Sequence, residues 1–131
     1  MIVLNEINDE VTTKALFSLL LSETCRISDP TKSFNLVMDA FKMKPDITKV
    51  IFKDHLQDFI YDQDCLNKQK EIKNCTVCGG EGSEYYNAHC FKMINYTGEF
   101  LPSKLYLKCN DCGNLFSKYF PLKYFNRKNP I

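Results

Sequence analysis

The sequence predicts an α+β protein in which a small N-terminal helical bundle, residues 1–72, is followed by a C-terminal antiparallel β-sheet, residues 73–131. Helical spacing of apolar residues and two helix-start signals indicate the first part. After Lys73 the residues Tyr, Phe, Asn and Gly become frequent, and the alternation over residues 104–108 is typical of a strand. At 131 residues the chain fits one ordinary domain, or two small ones that share an interface.

Three helices are predicted in the first seventy or so residues. From Asn8-Asp9 onward apolar residues lie almost all round a helix, which predicts that this helix is buried. Asp29-Pro30 is a helix start, with a capping acid and proline at the first helical position. The helix that follows is amphipathic, and its apolar face consists of Phe34, Val37, Met38 and Phe41. Pro45-Asp46 ends that helix and caps a third, whose apolar side runs from Ile47 to Ile60.

Strands are expected in the second part of the chain. Residues 62–73 are rich in charge, which indicates a helix tail or a solvated linker. Residues 104–108 and 115–120 are predicted strands, the second ended by Pro121. Residues 85–96 are predicted to form a strand or a hairpin that is closed by a turn at Thr97-Gly98.

Two Cys-x-x-Cys pairs are the most specific feature of the sequence, Cys75-Thr-Val-Cys78 and Cys109-Asn-Asp-Cys112. Each such turn brings two sulfurs within reach of one metal, and two turns complete the tetrahedral four-sulfur set that structural zinc prefers. Gly79 and Gly113 follow the pairs, and glycine there lets backbone N–H groups turn towards the thiolates. We expect one structural Zn²⁺, with the ligands Cys75, Cys78, Cys109 and Cys112.

The order of features along residues 73–121 resembles a zinc ribbon: a cysteine pair, a strand, a long connection, a strand, a second pair and a further strand. The resemblance implies a small antiparallel sheet crossed by one structural zinc, with the two cysteine turns facing each other. Ribbons at the start of some bacterial methyltransferases are similar in their Cys-x-x-Cys-Gly and Lys-Cys-x-x-Cys-Gly segments, and in an aromatic-Pro ending like Phe120-Pro121. Zinc ribbons occur in proteins of many functions, so the resemblance implies a metal and leaves the function open.

Other uses of the same cysteines fit less well. Cys75 to Gly82 is similar to one CxxCxGxG repeat of a chaperone zinc domain, but that domain needs four repeats, and the second pair continues with Gly113-Asn114-Leu115. Catalytic zinc usually keeps three protein ligands and an open position, whereas four cysteines close the coordination shell. Redox-active dithiols and rubredoxin-like iron use similar turns, yet the chain shows no other redox feature.

Composition favours a globular cytoplasmic protein. The chain is 44% hydrophobic and 25% charged, and its seven cysteines, an odd number, argue against complete disulfide pairing. The N-terminal residues lack the basic start and the long apolar core of a secretory signal. The most hydrophobic run, Ala15 to Leu21, is far shorter than the roughly 20 residues that cross a bilayer. We therefore expect no membrane span.

Charge is unevenly distributed along the chain. Residues 1–72 carry nine Lys and Arg against twelve Asp and Glu, and residues 73–131 carry eight against four. Four thiolates around one Zn²⁺ have a net charge of −2, which cancels half of the positive excess in the second part. The remaining basic bias is weak and is a poor argument for nucleic-acid binding.

Several other polar residues are candidates for a site. His55 and Asp58 could form an acid/base pair, although a partly buried histidine satisfied by its neighbour is the more common arrangement. His89 and Cys90 lie between the cysteine pairs, where His89 could replace a metal ligand; a histidine and a buried thiol on a strand are favoured. Cys25 and Cys65 are expected to pack as buried apolar groups.

Aromatic and basic residues are concentrated in the second part. A small ribbon cannot bury all of Tyr85, Tyr86, Tyr96, Phe100 and Tyr106, so packing on the helices is favoured over exposure to a partner. The tail from Lys118 interleaves four aromatic with four basic residues, a texture found in contacts with single strands, and also in a last strand with a frayed terminus. The candidate partner-binding residues are Tyr85, Tyr86, Lys118, Tyr119, Lys123, Tyr124, Arg127 and Lys128.

The sequence therefore supports three functional hypotheses. The first is a non-enzymatic, zinc-binding regulatory or accessory module that recognises a macromolecule, with a protein partner favoured because the net charge is near zero and the aromatic content high. The second is a transcription-type zinc ribbon that binds DNA or RNA. The third is the N-terminal zinc-ribbon region of a larger enzyme such as a methyltransferase.

Overall fold

The computed structural model describes residues 10–52, 59–93 and 96–125. Helices occupy the N-terminal part and strands the C-terminal part, which confirms the predicted α+β class. The helices are α1 (Glu10–Thr24), α2 (Pro30–Met43), α3 (Thr48–Ile51) and α4 (Leu122–Phe125). The strands are β1 (Gln69–Glu71), β2 (Gly82–Ala88), β3 (Lys104–Cys109), β4 (Leu115–Ser117) and β5 (Tyr119–Pro121). None of the helices in these ranges is long and apolar enough to cross a membrane.

Helix α1 packs on α2 through small and polar side chains, while its largest apolar side chains face away. Its buried residues are Thr12, Ala15, Ser18, Leu19 and Ser22. Ser18 Oγ donates a hydrogen bond of 2.7 Å to the carbonyl of Leu36, which a close approach of the two helices allows. On the opposite side Phe17 and Leu20 are 61% and 66% exposed. The prediction that this helix is buried all round is therefore wrong.

The two predicted helix-start signals have different outcomes. The Asp29 carboxylate accepts the backbone N–H of Lys32 at 3.2 Å and caps α2, as predicted. The Asp46 carboxylate instead pairs with the Lys44 ammonium at 3.3 Å. Ile47 occupies the capping position of α3 and makes no side-chain capping bond. The prediction that Asp46 caps the third helix is therefore wrong.

Helix α3 is much shorter than the sequence predicts. The backbone N–H of Tyr61 donates to the carbonyl of Pro45 at 2.7 Å, so the two ends of the predicted helix are adjacent. A straight helix over residues 47–60 would separate its ends by about 20 Å. Phe59 and Ile60 are accordingly not helical. The proposed His55–Asp58 pair lies outside the described residues.

The strands form two antiparallel sheets. Three of them make a sheet in the order β2-β3-β4, and β1 pairs with β5 in a second sheet. The chain passes from one sheet to the other at Lys118, whose N–H donates to Leu105 in β3 and whose carbonyl accepts the N–H of Ile72. The predicted single strand over 115–120 is therefore two strands in different sheets.

The charged segment before the first cysteine pair is structured. It forms a 3₁₀ turn, Cys65–Lys68, which leads directly into β1. Lys70 in β1 lies opposite Phe120 in β5. The prediction of a helix tail or linker is therefore wrong, because the strand that pairs with β1 lies about fifty residues further along the chain.

A buried hydrogen-bond chain joins the helices to the three-stranded sheet. Ser33 Oγ in α2 donates to the carbonyl of Ser22 in α1 at 2.7 Å. Asn87 Nδ2 in β2 donates to Ser33 Oγ at 2.8 Å, and Ser103 Oγ donates to Asn87 Oδ1 at 2.6 Å. All four residues are fully buried. Buried polar groups whose bonds are all made fix one packing arrangement, so this chain sets how α1, α2 and β2 meet.

The apolar core has two parts. The larger part combines side chains of both helices with side chains from the strand region, including Phe41, Val37, Phe91 and Leu105. The smaller part lies under the cysteine turns, and its members are Cys75, Leu107, Cys109 and Phe116. Two of these four are candidate metal ligands, so this end of the protein has little apolar packing of its own.

Candidate metal centre

The four cysteines of the two Cys-x-x-Cys pairs converge on one point. All four sulfurs of Cys75, Cys78, Cys109 and Cys112 lie within 4.8 Å of one another. Across the two turns, Cys75 Sγ is 3.6 Å from Cys112 Sγ, and Cys78 Sγ is 3.4 Å from Cys109 Sγ. Tetrahedral Zn²⁺ with Zn–S bonds of 2.3 Å places its sulfurs about 3.8 Å apart. The four residues therefore fit a single tetrahedral metal ion, with zinc the ion that this donor set prefers.

The sheet brings the two turns together. The second turn follows the end of β3 directly, and Cys109 lies opposite Gly82 at the start of β2. The first turn precedes β2, and an antiparallel bridge between Asn74 and Glu81 pairs the residues on either side of this turn. Because adjacent antiparallel strands lie about 4.8 Å apart, this register leaves the two turns facing each other.

Backbone N–H groups donate hydrogen bonds to the sulfurs of both turns. Val77 donates to Cys75 Sγ at 3.3 Å, and Asp111 donates to Cys109 Sγ at 3.4 Å. Hydrogen bonds from the N–H groups of Cys78 and Val77 lower the pKa of Cys75 to about 6. Those of Cys112 and Asp111 likewise lower the pKa of Cys109. Donors of this kind favour the thiolate, which is the form that binds a metal.

Glycines make these turns sterically feasible. Gly79 and Gly113, the residues after each pair, have φ of +80° and +79°, a region that side chains rarely adopt. Gly80 favours close approach of the two turns for a different reason, since a Cβ there would lie 3.1 Å from Cys109 Sγ and would displace the Asp111 carboxylate. The sequence predicted the role of the first two glycines, but the role of Gly80 depends on the opposite turn.

His89 belongs to a separate polar cluster and is not grouped with the four sulfurs. Its Nε2 lies 3.1 Å from Ser22 Oγ, and its Nδ1 lies 2.9 Å from Glu23 Oε1. Arg26 and Lys92 also pair with this carboxylate, which compensates its charge. Burial lowers the pKa of His89 to about 4, and the positive charge of Arg26 acts in the same direction.

The cluster has the connectivity of a Ser–His–acid set but not its accessibility. Ser22 is 0% exposed and its hydroxyl also lies 2.6 Å from the carbonyl of Leu19, one turn earlier in α1. A nucleophilic serine must reach a substrate carbonyl, which this position does not allow. The cluster therefore ties α1 to the segment after β2. No local sequence pattern indicates this cluster, because Ser22 and Glu23 lie more than sixty positions before His89.

The remaining cysteines lie outside the metal cluster. Cys65 is buried, and Cys25 and Cys90 are partly exposed. Burial raises the pKa of the Cys65 and Cys90 thiols, so both favour the protonated form. Cys65 belongs to the larger part of the apolar core, and neither thiol has the lowered pKa of a reactive cysteine.

The aromatic residues of the second part are divided between core and surface. Tyr96 is buried against Phe59, with ring centroids 5.2 Å apart. Tyr85 is exposed, whereas Tyr86 and Tyr106 are half-buried and stack on each other at 6.4 Å. Packing in the core therefore buries some of the predicted aromatic residues, such as Tyr96, and leaves others, such as Tyr85, at the surface.

The candidate partner-binding residues of the tail are dispersed. Tyr119 stacks on Phe34 of α2 at 5.4 Å, and the Lys118 ammonium lies 5.7 Å from the centre of the Tyr119 ring. The Lys123 ammonium lies 5.0 Å from the centre of the Phe100 ring, and Tyr124 belongs to α4. Two further candidates, Arg127 and Lys128, lie outside the described residues.

Comparisons with protein families, with curated proteins and with solved structures find no match to this chain.

Proposed function

We propose that this chain is a non-enzymatic zinc-binding module with a regulatory or accessory role, which recognises a macromolecular partner. The observation that carries the proposal is the set of four sulfurs within 4.8 Å of one another. A Zn²⁺ ion with four thiolate ligands has no open position for water or substrate, and the thiolate charge makes it a poor Lewis acid. The role of such an ion is to stabilise the fold.

Two surfaces support recognition of a partner. The exposed side of α1 presents Phe17, Leu20 and Leu21, an apolar face that would suit a protein. The three-stranded sheet presents tyrosines beside lysines, which would suit a nucleic acid. The near-zero net charge and the high aromatic content favour a protein as the partner.

The free thiols fit a reducing, cytoplasmic setting.

Affinity capture from the native host tests recognition by the metal-dependent fold. Wild-type protein, Cys109→Ser and Cys25→Ser serve as baits, and co-purifying proteins and nucleic acids are identified by mass spectrometry and sequencing. We expect the wild type and Cys25→Ser to enrich the same partner and Cys109→Ser to lose it, because Cys109 is one of the four candidate metal ligands and Cys25 is not. Enrichment of nothing, or equal enrichment by all three baits, would contradict the proposal.

A further inference from the structure

Among the described residues, the helices cover one face of the three-stranded sheet and leave the other face open. Residues that lie opposite each other in an antiparallel pair share a face. Leu105, Leu107 and Cys109 are buried, so the alternating residues of β3 lie on the other side. We call that side the outer face, and its residues are Ser83, Tyr86, Ala88, Lys104, Tyr106, Lys108, Leu115 and Ser117.

The centre of the outer face is aromatic. Tyr86 and Tyr106 are opposite each other in the register, and their rings stack with an interplanar angle of 22°. Tyr85 lies at the β2 bulge beside them and is 46% exposed. Partly exposed tyrosine rings on a sheet are the type of group on which unpaired bases stack, and we call this set of tyrosines, Tyr85, Tyr86 and Tyr106, the platform.

Cations are placed beside each of these rings. The Lys104 ammonium lies 5.7 Å from the centre of the Tyr106 ring, and the Lys108 ammonium lies 5.5 Å from that of Tyr85. The Arg26 guanidinium lies 4.9 Å from the centre of the Tyr86 ring. Lys104 and Lys108 are four residues apart on one strand, or about 13 Å. Basic groups therefore border the platform along its length.

The outer face carries no carboxylate among its eight residues. Glu84, the acidic residue of β2, lies opposite buried Leu107 and therefore on the other side, where it accepts a hydrogen bond from Thr31 of α2. The charge of the platform is thus positive. The core of a protein–protein interface is usually depleted of charged residues. A surface that binds single-stranded nucleic acid instead combines aromatic rings, which stack on the bases, with positive charges, which bind the phosphates.

A cavity lies beside the outer face at the C-terminal end of β2. It has a volume of about 290 Å³ and is lined by residues that include Arg26, Tyr86, Ala88 and Lys92. Arg26 and Lys92 both pair with the Glu23 carboxylate. Two positive charges thus face one negative charge, which leaves a net charge of about +1 on these three side chains. At the other end of the sheet the zinc thiolates carry a net charge of −2, which would repel phosphate. The electrostatic potential of the outer face therefore favours binding of phosphates near Lys104 and the cavity, away from the zinc thiolates.

We propose that the outer face binds single-stranded nucleic acid, with bases stacked on Tyr86 and Tyr106 and phosphates held by Lys104, Arg26 and Lys92. This inference rests on the proposed function, since it names the class of partner. A duplex is excluded as the ligand because its bases present no free ring face for stacking.

Fluorescence anisotropy with labelled mixed-sequence single strands of about a dozen nucleotides, RNA and DNA in separate arms, tests the proposal. We expect binding that weakens as salt is raised from about 50 to about 200 mM. Tyr106→Leu should weaken binding about tenfold because it removes stacking, whereas Tyr106→Phe should retain it. Lys104→Gln should lower the slope of log affinity against log salt by about one, and Lys14→Gln on α1 should leave it unchanged.

Zinc content and melting temperature are measured on every variant, so that a folding defect is recognised. Zinc-loaded protein that binds neither RNA nor DNA at low salt would overturn the inference and leave the metal module intact. The inference would also be overturned if Tyr106→Leu bound as tightly as the wild type, or if Lys104→Gln and Lys14→Gln changed the salt slope equally. Tighter binding of a duplex of the same sequence would overturn it as well. A folded protein that carries no zinc would instead contradict the proposed function, whatever its affinity for oligonucleotides.

Discussion

The four-cysteine cluster and the His89 cluster each depend on single side chains. The two clusters differ in whether the sequence alone predicts them. The metal-ligand cysteines are recognisable because each pair is local and its spacing has a geometric meaning. His89 is not recognisable, because the side chains that it contacts, Ser22 and Glu23, come from another element. A contact across more than sixty positions leaves no local pattern.

The lowered pKa of His89 predicts a pH-dependent stability. The unfolded chain takes up a proton near pH 6.5, whereas the folded protein resists protonation down to about pH 4. Stability is therefore present above pH 6.5 and is lost as the pH falls through this window. Between pH 7 and pH 5 we expect a loss of about 2 kcal/mol in the free energy of unfolding, measured by urea denaturation.

The matched variant for this prediction is His89→Gln, which removes the titrating group. Release of zinc at low pH affects both proteins, so the difference between their pH slopes reports His89 alone. We expect the variant to lack about 2 kcal/mol of the wild-type loss. Identical slopes for the two proteins would show that His89 titrates normally in the folded state.

Gly80 provides a second prediction at this scale. An alanine Cβ would lie 3.1 Å from Cys109 Sγ, so Gly80→Ala should force the two cysteine turns apart. We expect zinc to be lost to a competing chelator at a lower chelator concentration, with a destabilisation of about 1–3 kcal/mol. Thr76→Ala, at an exposed position of the same turn, is the control and should behave like the wild type.

At the scale of elements, a clearly amphipathic pattern predicts which side of a helix is buried, whereas a helix with apolar residues on both sides leaves this open. Helix α2 has a clear apolar face and a capping acid, and both are as predicted. Helix α1 has apolar residues on both sides, so its pattern cannot say which side is buried. Close packing against α2 selects the side with Ala15, Ser18 and Ser22, because small residues allow the backbones to approach.

Two adjacent leucines of α1 test this assignment. Leu19 is 7% exposed and Leu20 is 66% exposed. Leu19→Ala should cost about 2–4 kcal/mol of stability, because it removes buried methyl groups and leaves a cavity. Leu20→Ala should change stability by less than about 0.5 kcal/mol. Thermal and urea unfolding measure both, and similar costs for the two variants would restore the prediction of a helix buried all round.

At the scale of the whole molecule, the fold class was predictable and the chain path was not. The change in residue texture after Lys73 indicated helices followed by strands. The pairing of β1 with β5 joins residues 69–71 to residues 119–121. Neither the short strand β1 nor the break at Lys118 has a sequence pattern, because both depend on where the remote strand lies.

The division of the core implies that zinc stabilises one end of the molecule most. The cluster beneath the cysteine turns has only four buried members, two of them ligands. Structural zinc contributes on the order of 10 kcal/mol in small metal-dependent domains, far more than this cluster can supply. Removal of the ion should therefore unfold at least the strands next to the turns, β3 and β4.

Native mass spectrometry of the purified protein, combined with hydrogen exchange, tests the central claim most directly. We expect one zinc per chain in the wild type and in Cys25→Ser, and none in Cys109→Ser. Chelation or Cys109→Ser should increase exchange in residues 104–117 by more than in α2. A well-folded protein with protected amides around Cys109 and no bound metal would contradict the claim that zinc holds this fold together.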